Sequence, residues 1–471
     1  MKYCFFFFTL LSFFKINCQA VQLELLGRWR DPDVLGSSAY NNAFNEVYGA
    51  WVNNREYAII GSTYGTHFID VTNPTDPKEV YRVKGGSSGT HIIHRDYRTY
   101  QCYLYAVCDE GSLSTLQIMD LSYLPDSVHM VYDTNSLFVR SHNIYIDVPK
   151  ARLYTSAETG IDGRYALGLY DISNPTQPKL LGHYSQFGNI EAGHVHDCYV
   201  INDTAYLNCG NDGFAVMDFS NYLAPKSLYT LTPTEYPFAG YNHSGWLTPD
   251  GSKYVMADET HGSPMKLIHF GDWSEIKITS LMGVVRDDKE IPHNPLVSCD
   301  YAYVSYYYDG LQVYDITKPN MAERKYYYPT SLLPNIKSYE GAWGVYPFLP
   351  SGNILVADMQ RGLFVVKGVE KACNVVKTCQ TISGQNDKSS ESSDILIHPN
   401  PSQDQLNVSS KNPIKAIEIF TLTGQKIYSQ MGYFNNGLNE INTQTLANGI
   451  YLIKVIMDNQ VSNTYKFSIL R

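Results

Sequence analysis

One pattern recurs seven times between Tyr48 and Lys367, and it constrains the fold more than any other feature of the chain. Each copy opens on a polar or aromatic motif and an alternating strand. A second strand follows and ends on an acidic residue near a glycine. A third ends like Gly310-Leu-Gln-Val-Tyr-Asp315, and a fourth comes after an Asn-Pro-type turn such as Asn174-Pro175. The third-strand ends fall at Asp70, Asp120, Asp171, Asp218, His269, Asp315 and Lys367, in steps of 46 to 52 residues. Units of that size do not bury their own apolar faces, so such a chain must stack them or close them into a ring.

The third copy shows the grammar. Residues 142–147 alternate as a strand, Pro149 turns the chain, 153–157 return, 166–172 form the third strand, and 179–184 close the unit after Asn174-Pro175. Four strands at this period describe a β-propeller blade. The last copy stops after its third strand. At the other end, Leu23-Glu-Leu-Leu-Gly27-Arg-Trp29 resembles the fourth strand Pro178-Lys-Leu-Leu-Gly182-His-Tyr184. The sequence therefore predicts an all-β chain: a seven-bladed β-propeller over residues 21–370, closed by its N-terminal strand so that no long edge stays open.

The 471 residues carry a net charge of −10, which argues against a nucleic-acid partner. Residues 1–20 read as a signal peptide: Lys2 precedes an apolar run of about ten residues, too short to span a bilayer. Cys18-Gln-Ala20 offers small residues for cleavage after Ala20. A lipidated Cys18 is the alternative, although Lys15-Ile-Asn17 makes a poor lipobox. No other stretch is apolar enough to cross a membrane. Of the seven later cysteines, Cys102 with Cys108, Cys198 with Cys209 and Cys373 with Cys379 are close enough in sequence to pair. Cys299 is then left over, and buried free thiols are the competing reading.

Aligned by unit, the opening motifs put His94, His142, His196, His243 and His293 at one position, with Tyr48 and Glu340 there in the first and last units. An aromatic follows three residues later in six of the seven, and is read as blade packing. The repeated third-strand Asp is read as bonding the backbone of the next turn. Second strands end near Glu110, Glu158, Asp212, Asp258 with Glu259 and His261, Asp309 and Asp358. A second strand runs antiparallel to the first, so these acids and the histidines share one face, around the mouth of the central channel. Convergent imidazoles and carboxylates suit a divalent transition metal, acid–base chemistry, or plain capping of the inner strands. No nucleophile elbow, phosphate loop or dinucleotide fingerprint is present.

Several phrases resemble the choice-of-anchor B family of LVIVD-repeat proteins over roughly residues 22–370. They are Gly65-Thr-His-Phe-Ile-Asp-Val-Thr-Asn-Pro74, Tyr241-Asn-His-Ser-Gly-Trp246, Met256-Ala-Asp-Glu-Thr-His261, Ile291-Pro-His-Asn294 and Gly341-Ala-Trp-Gly-Val-Tyr346. The resemblance implies an exported propeller and no particular reaction. Residues 394–471 resemble a type IX secretion (type A) sorting domain through Ile397-His-Pro-Asn-Pro401, Ile417-Glu-Ile-Phe-Thr-Leu-Thr-Gly424 and Leu446-Ala-Asn-Gly-Ile-Tyr451, with His398 where that family has Tyr. Read from its residues, this segment is a small β-sandwich, joined to the propeller by a polar linker over 371–393. The resemblance implies the type IX secretion machinery as a partner, passage across the outer membrane, and surface attachment or release. The leading expectation is a secreted or cell-surface binding protein for an extracellular ligand, glycan or protein, with a metal at the channel mouth. The alternatives are a metal-dependent hydrolase or lyase on the same face, with Glu340 as base, and a structural interaction scaffold.

Overall fold

The computed structural model describes residues 20–379 and 395–469, apart from 113, 272–275, 284–287, 319, 374, 376–377, 399–401, 411–412, 422–424, 435–436 and 458–461. The leader expected over 1–20 lies outside these residues except for Ala20, as does the linker beyond Cys379. The chain forms two compact units, Met1–Thr381 and Ile382–Arg471.

The first unit is built from antiparallel sheets of one kind. In the fourth, Asp197–Ile201, Thr204–Asn208, Phe214–Asp218 and Lys226–Leu231 pair in sequence order. The second and third strands are almost wholly buried because neighbouring sheets pack on both of their faces. The fourth starts on exposed Lys226 and Ser227, which protects an edge. Third strands end in a repeated device. The Oδ1 atoms of Asp70, Asp120, Asp171, Asp218 and Asp315 each accept the N–H two residues on, at 2.8 to 3.0 Å, as the repeat predicted.

Among the described residues this unit holds seven sheets of four or five strands. Their first strands are Phe44–Val52, Arg95–Tyr100, Asn143–Asp147, Asp197–Ile201, Asn242–Leu247, Pro295–Ser298 and Ala342–Tyr346. Each touches the next, and the last touches the first. This circuit of sheets is the arrangement of a β-propeller. Near the N-terminus, Leu25–Trp29 pairs antiparallel with Gly362–Val366, Trp29 facing Leu363, while Val21–Gln22 pairs parallel with Glu323–Tyr328.

The cysteines differ from the short-range pairing the sequence suggested. Cys102 bonds Cys379 and Cys299 bonds Cys373, while Cys108, Cys198 and Cys209 are free and buried. Cys198 and Cys209 do sit on adjacent segments of one sheet, but residues inside a packed blade need no crosslink. The disulfides instead hold Cys373 and Cys379, at the start of the expected linker. There Cys379 also exchanges backbone hydrogen bonds with Trp51 and Asn53.

The second unit has two sheets, Ile395–His398 with Gln405–Ser410 and Gly437–Asn442, and Lys426–Phe434 with Ile414–Thr421, Gly449–Met457 and Ser462–Ile469. Leu406, Val408, Ile417, Ile419, Ile453 and Val455 form its core.

Candidate functional site

The first strands deliver the five aligned histidines to one place. His94, His142 and His196 immediately precede their strands, His243 sits at a bulge between Asn242 and Ser244, and His293 stands two residues before Pro295. Ring centroids are 4.1 Å apart for His94–His142, 4.2 Å for His142–His196, 3.9 Å for His196–His243 and 4.5 Å for His243–His293. Trp343 closes the circuit, 4.8 Å from His293 and 5.9 Å from His94.

Trp343 occupies the position predicted for Glu340. It lies at the bulge between Ala342 and Gly344, the counterpart of His243, whereas Glu340 accepts a hydrogen bond from the Tyr308 hydroxyl at 3.1 Å. Tyr48 is likewise displaced. The first sheet's bulge falls between Phe44 and Val47, where Asn45 donates to the Ile93 carbonyl at 3.0 Å. Both errors are shifts of three residues. Aromatics recur every third residue at these strand starts, as in Tyr48 and Trp51 or Trp343 and Tyr346, so an alignment on the aromatic slides by one step.

The imidazoles are set up as neutral donors of a lone pair. His196 Nδ1–H donates to the His243 carbonyl at 3.1 Å and His293 Nδ1–H to the Trp343 carbonyl at 2.6 Å, which fixes the proton on Nδ1 and leaves Nε2 free. Burial holds His94, His196 and His243 well below the usual histidine range, and His293 at about 3. His142 is the exception. Burial pulls it down, but its 2.8 Å bond to Asp109 and the charge of that carboxylate outweigh burial and raise it. Burial likewise pushes Asp109 up, yet the same bond wins and holds it at about 2.

One carboxylate completes a ligand set. Glu259 Oε2 lies 3.6 Å from His243 Nε2, and Oε1 lies 4.0 Å from His293 Nε2. One ligand atom from each of the three residues lies within 4.8 Å of the others. Burial pushes Glu259 up to about 7, against a hydrogen bond that Tyr307 donates to Oε1. A divalent ion with ligands at about 2.0–2.2 Å fits such a triangle after small rotations.

The other predicted acids do different work. Glu110 accepts the N–H groups of Ile93 and His94, both at 3.1 Å, and so braces the strand start. Glu158 lies inside its blade, bonded to Tyr170 and to His183 on the fourth strand, both at 2.8 Å. Asp212 caps Gly193 N–H, Asp358 caps the N–H groups of Gln360 and Arg361, and Asp309 sits in the turn closed by its N–H to Tyr306. Asp258 pairs with Lys266 at 2.6 Å and anchors Asn242. His261 packs on Tyr339, outside the circuit.

Sequence reasoning missed the next layers of the channel. Glu46, Asp96, Asn143, Asp197, Ser244 and Asn294 line a cavity of about 340 Å³ together with Tyr48, Arg98, Tyr145, Tyr199, Trp246 and Tyr346. The predicted packing role holds for Tyr97, which is fully buried, but Tyr145, Tyr199 and Trp246 face this space. Arg98, one residue beyond that aromatic in its unit, faces the space as well.

Comparison with known proteins adds two assignments. Residues 166–186 match the LVIVD repeat and residues 396–470 match the secretion system C-terminal sorting domain. The chain has a β-propeller fold that carries an LVIVD repeat, followed by a type IX sorting domain. That tail marks it for secretion to the outer surface and implies contact with the secretion machinery. No curated protein matches the chain. Among solved structures, a Lactobacillus plantarum protein is 13% identical with a TM-score of 0.50, covering 71% of this chain and 98% of its own, a likeness of fold alone. The periplasmic gluconolactonase PpgL of Pseudomonas aeruginosa is 10% identical, TM-score 0.49, covering 84% and 99%. The Cps50 (Swd1) propeller domain of Myceliophteria thermophila is 11% identical, TM-score 0.49, covering 70% and 97%. Among the described residues, no helix is long and apolar enough to cross a membrane.

Proposed function

We propose that this is a secreted or cell-surface binding protein whose channel mouth holds a divalent transition metal on His243, His293 and Glu259. The carrying observation is the approach of two buried Nε2 atoms to one carboxylate, at 3.6 and 4.0 Å. Neutral imidazoles and a carboxylate are a fit donor set for such an ion, and three protein ligands leave a position for an external one. In the same reading residues 21–370 are a choice-of-anchor B-type propeller of seven blades, Leu25–Trp29 is the strand that completes the seventh, residues 1–20 are a cleaved leader, and 394–471 follow a linker. The seven sheets and the pairing of Leu25–Trp29 with Gly362–Val366 support it.

Asp109 and His142 favour a second reading, a metal-dependent hydrolase or lyase. Their 2.8 Å bond orients one imidazole of the circuit as a base would be oriented. Elemental analysis of the full-length protein, purified without chelators, tests the metal. Stoichiometric zinc, copper or nickel is expected, lost in the His243→Ala/His293→Ala variant. A metal-free protein that takes up none of these ions on dialysis overturns both readings.

A further inference from the structure

We propose that the cavity below the imidazole circuit is a second site, separate from the metal, that binds a neutral saccharide of one or two rings. The space of about 340 Å³ opens at the end of the channel away from the histidines, between Val148, Ile201 and Pro249, which lie at or just beyond the ends of three of the first strands. Val148 is 50% exposed and Ile201 39%, so a ligand has a way in. Its size falls at the low end of ordinary ligand pockets.

The walls combine flat apolar faces with polar side chains. Trp246 stands 4.9 Å from Tyr199 and 6.0 Å from Tyr145, and Tyr48 stands 5.0 Å from Tyr346 across the channel wall. Such faces suit the C–H side of a pyranose. Arg98 lies between Tyr48 and Tyr145, its Nη1 donating to Asp96 at 3.1 Å and to the Tyr97 carbonyl at 2.7 Å. Its Nε is buried with no partner. Asn294 donates to Glu46 at 3.0 Å, while its own Oδ1 is also buried without a partner. Arg98, Asn143, Ser244 and Asn294 on the same walls bring both hydrogen-bond donors and acceptors to the space. Hydroxyls serve both kinds of group, whereas an ammonium group serves only acceptors.

Charge points the same way. Asp96 is paired with Arg98, and burial pushes Glu46 and Asp197 up to about 8 and about 7, so the pocket is close to neutral near pH 7. The choice is between a polyhydroxylated ligand and an organic cation in an aromatic cage, and the Arg98 guanidinium in the wall, which disfavours a cation, decides for the first.

The test is a glycan array probed with the full-length protein, followed by tryptophan-fluorescence titration of the best-bound saccharide and, separately, of choline. Saccharide binding is expected to survive chelation, which separates this site from the metal. Trp246→Ala and Arg98→Gln should each weaken it by about tenfold or more, the loss of one good contact. Ile201→Trp, at an exposed position that leaves folding intact, should block entry. Binding of no saccharide, preference for choline, loss on chelation, or saccharide affinity unchanged by Ile201→Trp would overturn the proposal.

Discussion

Cys102 and Cys379 are joined by a disulfide across a sequence separation of 277 residues. Cys102 lies in the turn between the first two strands of the second sheet, and Cys299 lies in the matching turn of the sixth. Both turns are at the end of the channel away from the histidines. The chain beyond Gly362–Val366 is thus pinned to the second and the sixth sheet. Removing the long-range bond with Cys102→Ser/Cys379→Ser should cost about 2–4 kcal/mol. Removing Cys299–Cys373, whose separation is 74, should cost about 1 kcal/mol less on loop length alone. Denaturant titration of the two variants measures the difference. Equal losses would show that local contacts, not loop closure, set the effect.

Lys266 and Asp258 form an ion pair at 2.6 Å with both side chains fully buried. Asp258 also accepts from Asn242 and the Gly240 N–H, at the entry to the fifth first strand. Its role is to hold that strand start in place beneath His243. Lys266→Met leaves a buried carboxylate without its cation and should cost about 3–5 kcal/mol. Asp258→Asn combined with Lys266→Met should recover much of that loss, because no net charge then stays buried. A double variant as unstable as Lys266→Met alone would sink this account.

The repeat carried most of the architecture because it is a backbone property: strand, turn and Asp cap recur with the same spacing, and Asp70 through Asp315 cap their turns as read. The same spacing brings the five aligned histidines to one circuit. The misplacements have physical sources. Tyr48 and Glu340 slid by three residues because the bulges before Val47 and at Trp343 leave no mark in an aromatic-rich string. Glu158 and Asp258 end second strands like Glu259, but which face such a side chain takes is set by partners far away in sequence, His183 for one and Lys266 for the other. The two disulfides join turns to a segment 277 and 74 residues away, a proximity set by contacts between sheets and not by sequence spacing.

His142 differs from its neighbours because Asp109 lies 2.8 Å from Nδ1. Its raised value means that its contribution to stability is complete below the unfolded histidine value and fades as pH rises through the folded one. Asp109, held at about 2, contributes above the ordinary carboxylate value and loses that contribution as pH falls towards 2. The pair therefore stabilises most between about pH 4 and about pH 6.5. In Asp109→Asn, histidine NMR should show His142 titrating below the usual range, where burial already puts His94 and His196. A His142 titration that does not move would remove Asp109 as its cause.

Glu46 gives the opposite sign. It is buried beside Asp96, Arg98 and Asp197, the Val47 N–H and Asn294 donate to it, and burial raises it to about 8. The unfolded chain releases this proton near the ordinary glutamate value while the folded protein keeps it. Stability from this group is thus present at low pH and declines as pH climbs from about 4.5 to about 8, with a slope approaching 1.4 kcal/mol per pH unit. Glu46→Gln keeps the shape and the bond to Asn294 but has no proton to lose. The variant should match the wild type near pH 4.5 and exceed it near pH 8, with a flatter slope between. Urea titrations at four pH values across this window measure the slopes directly, and parallel slopes for the two proteins would show that Glu46 is already ionised in the folded state.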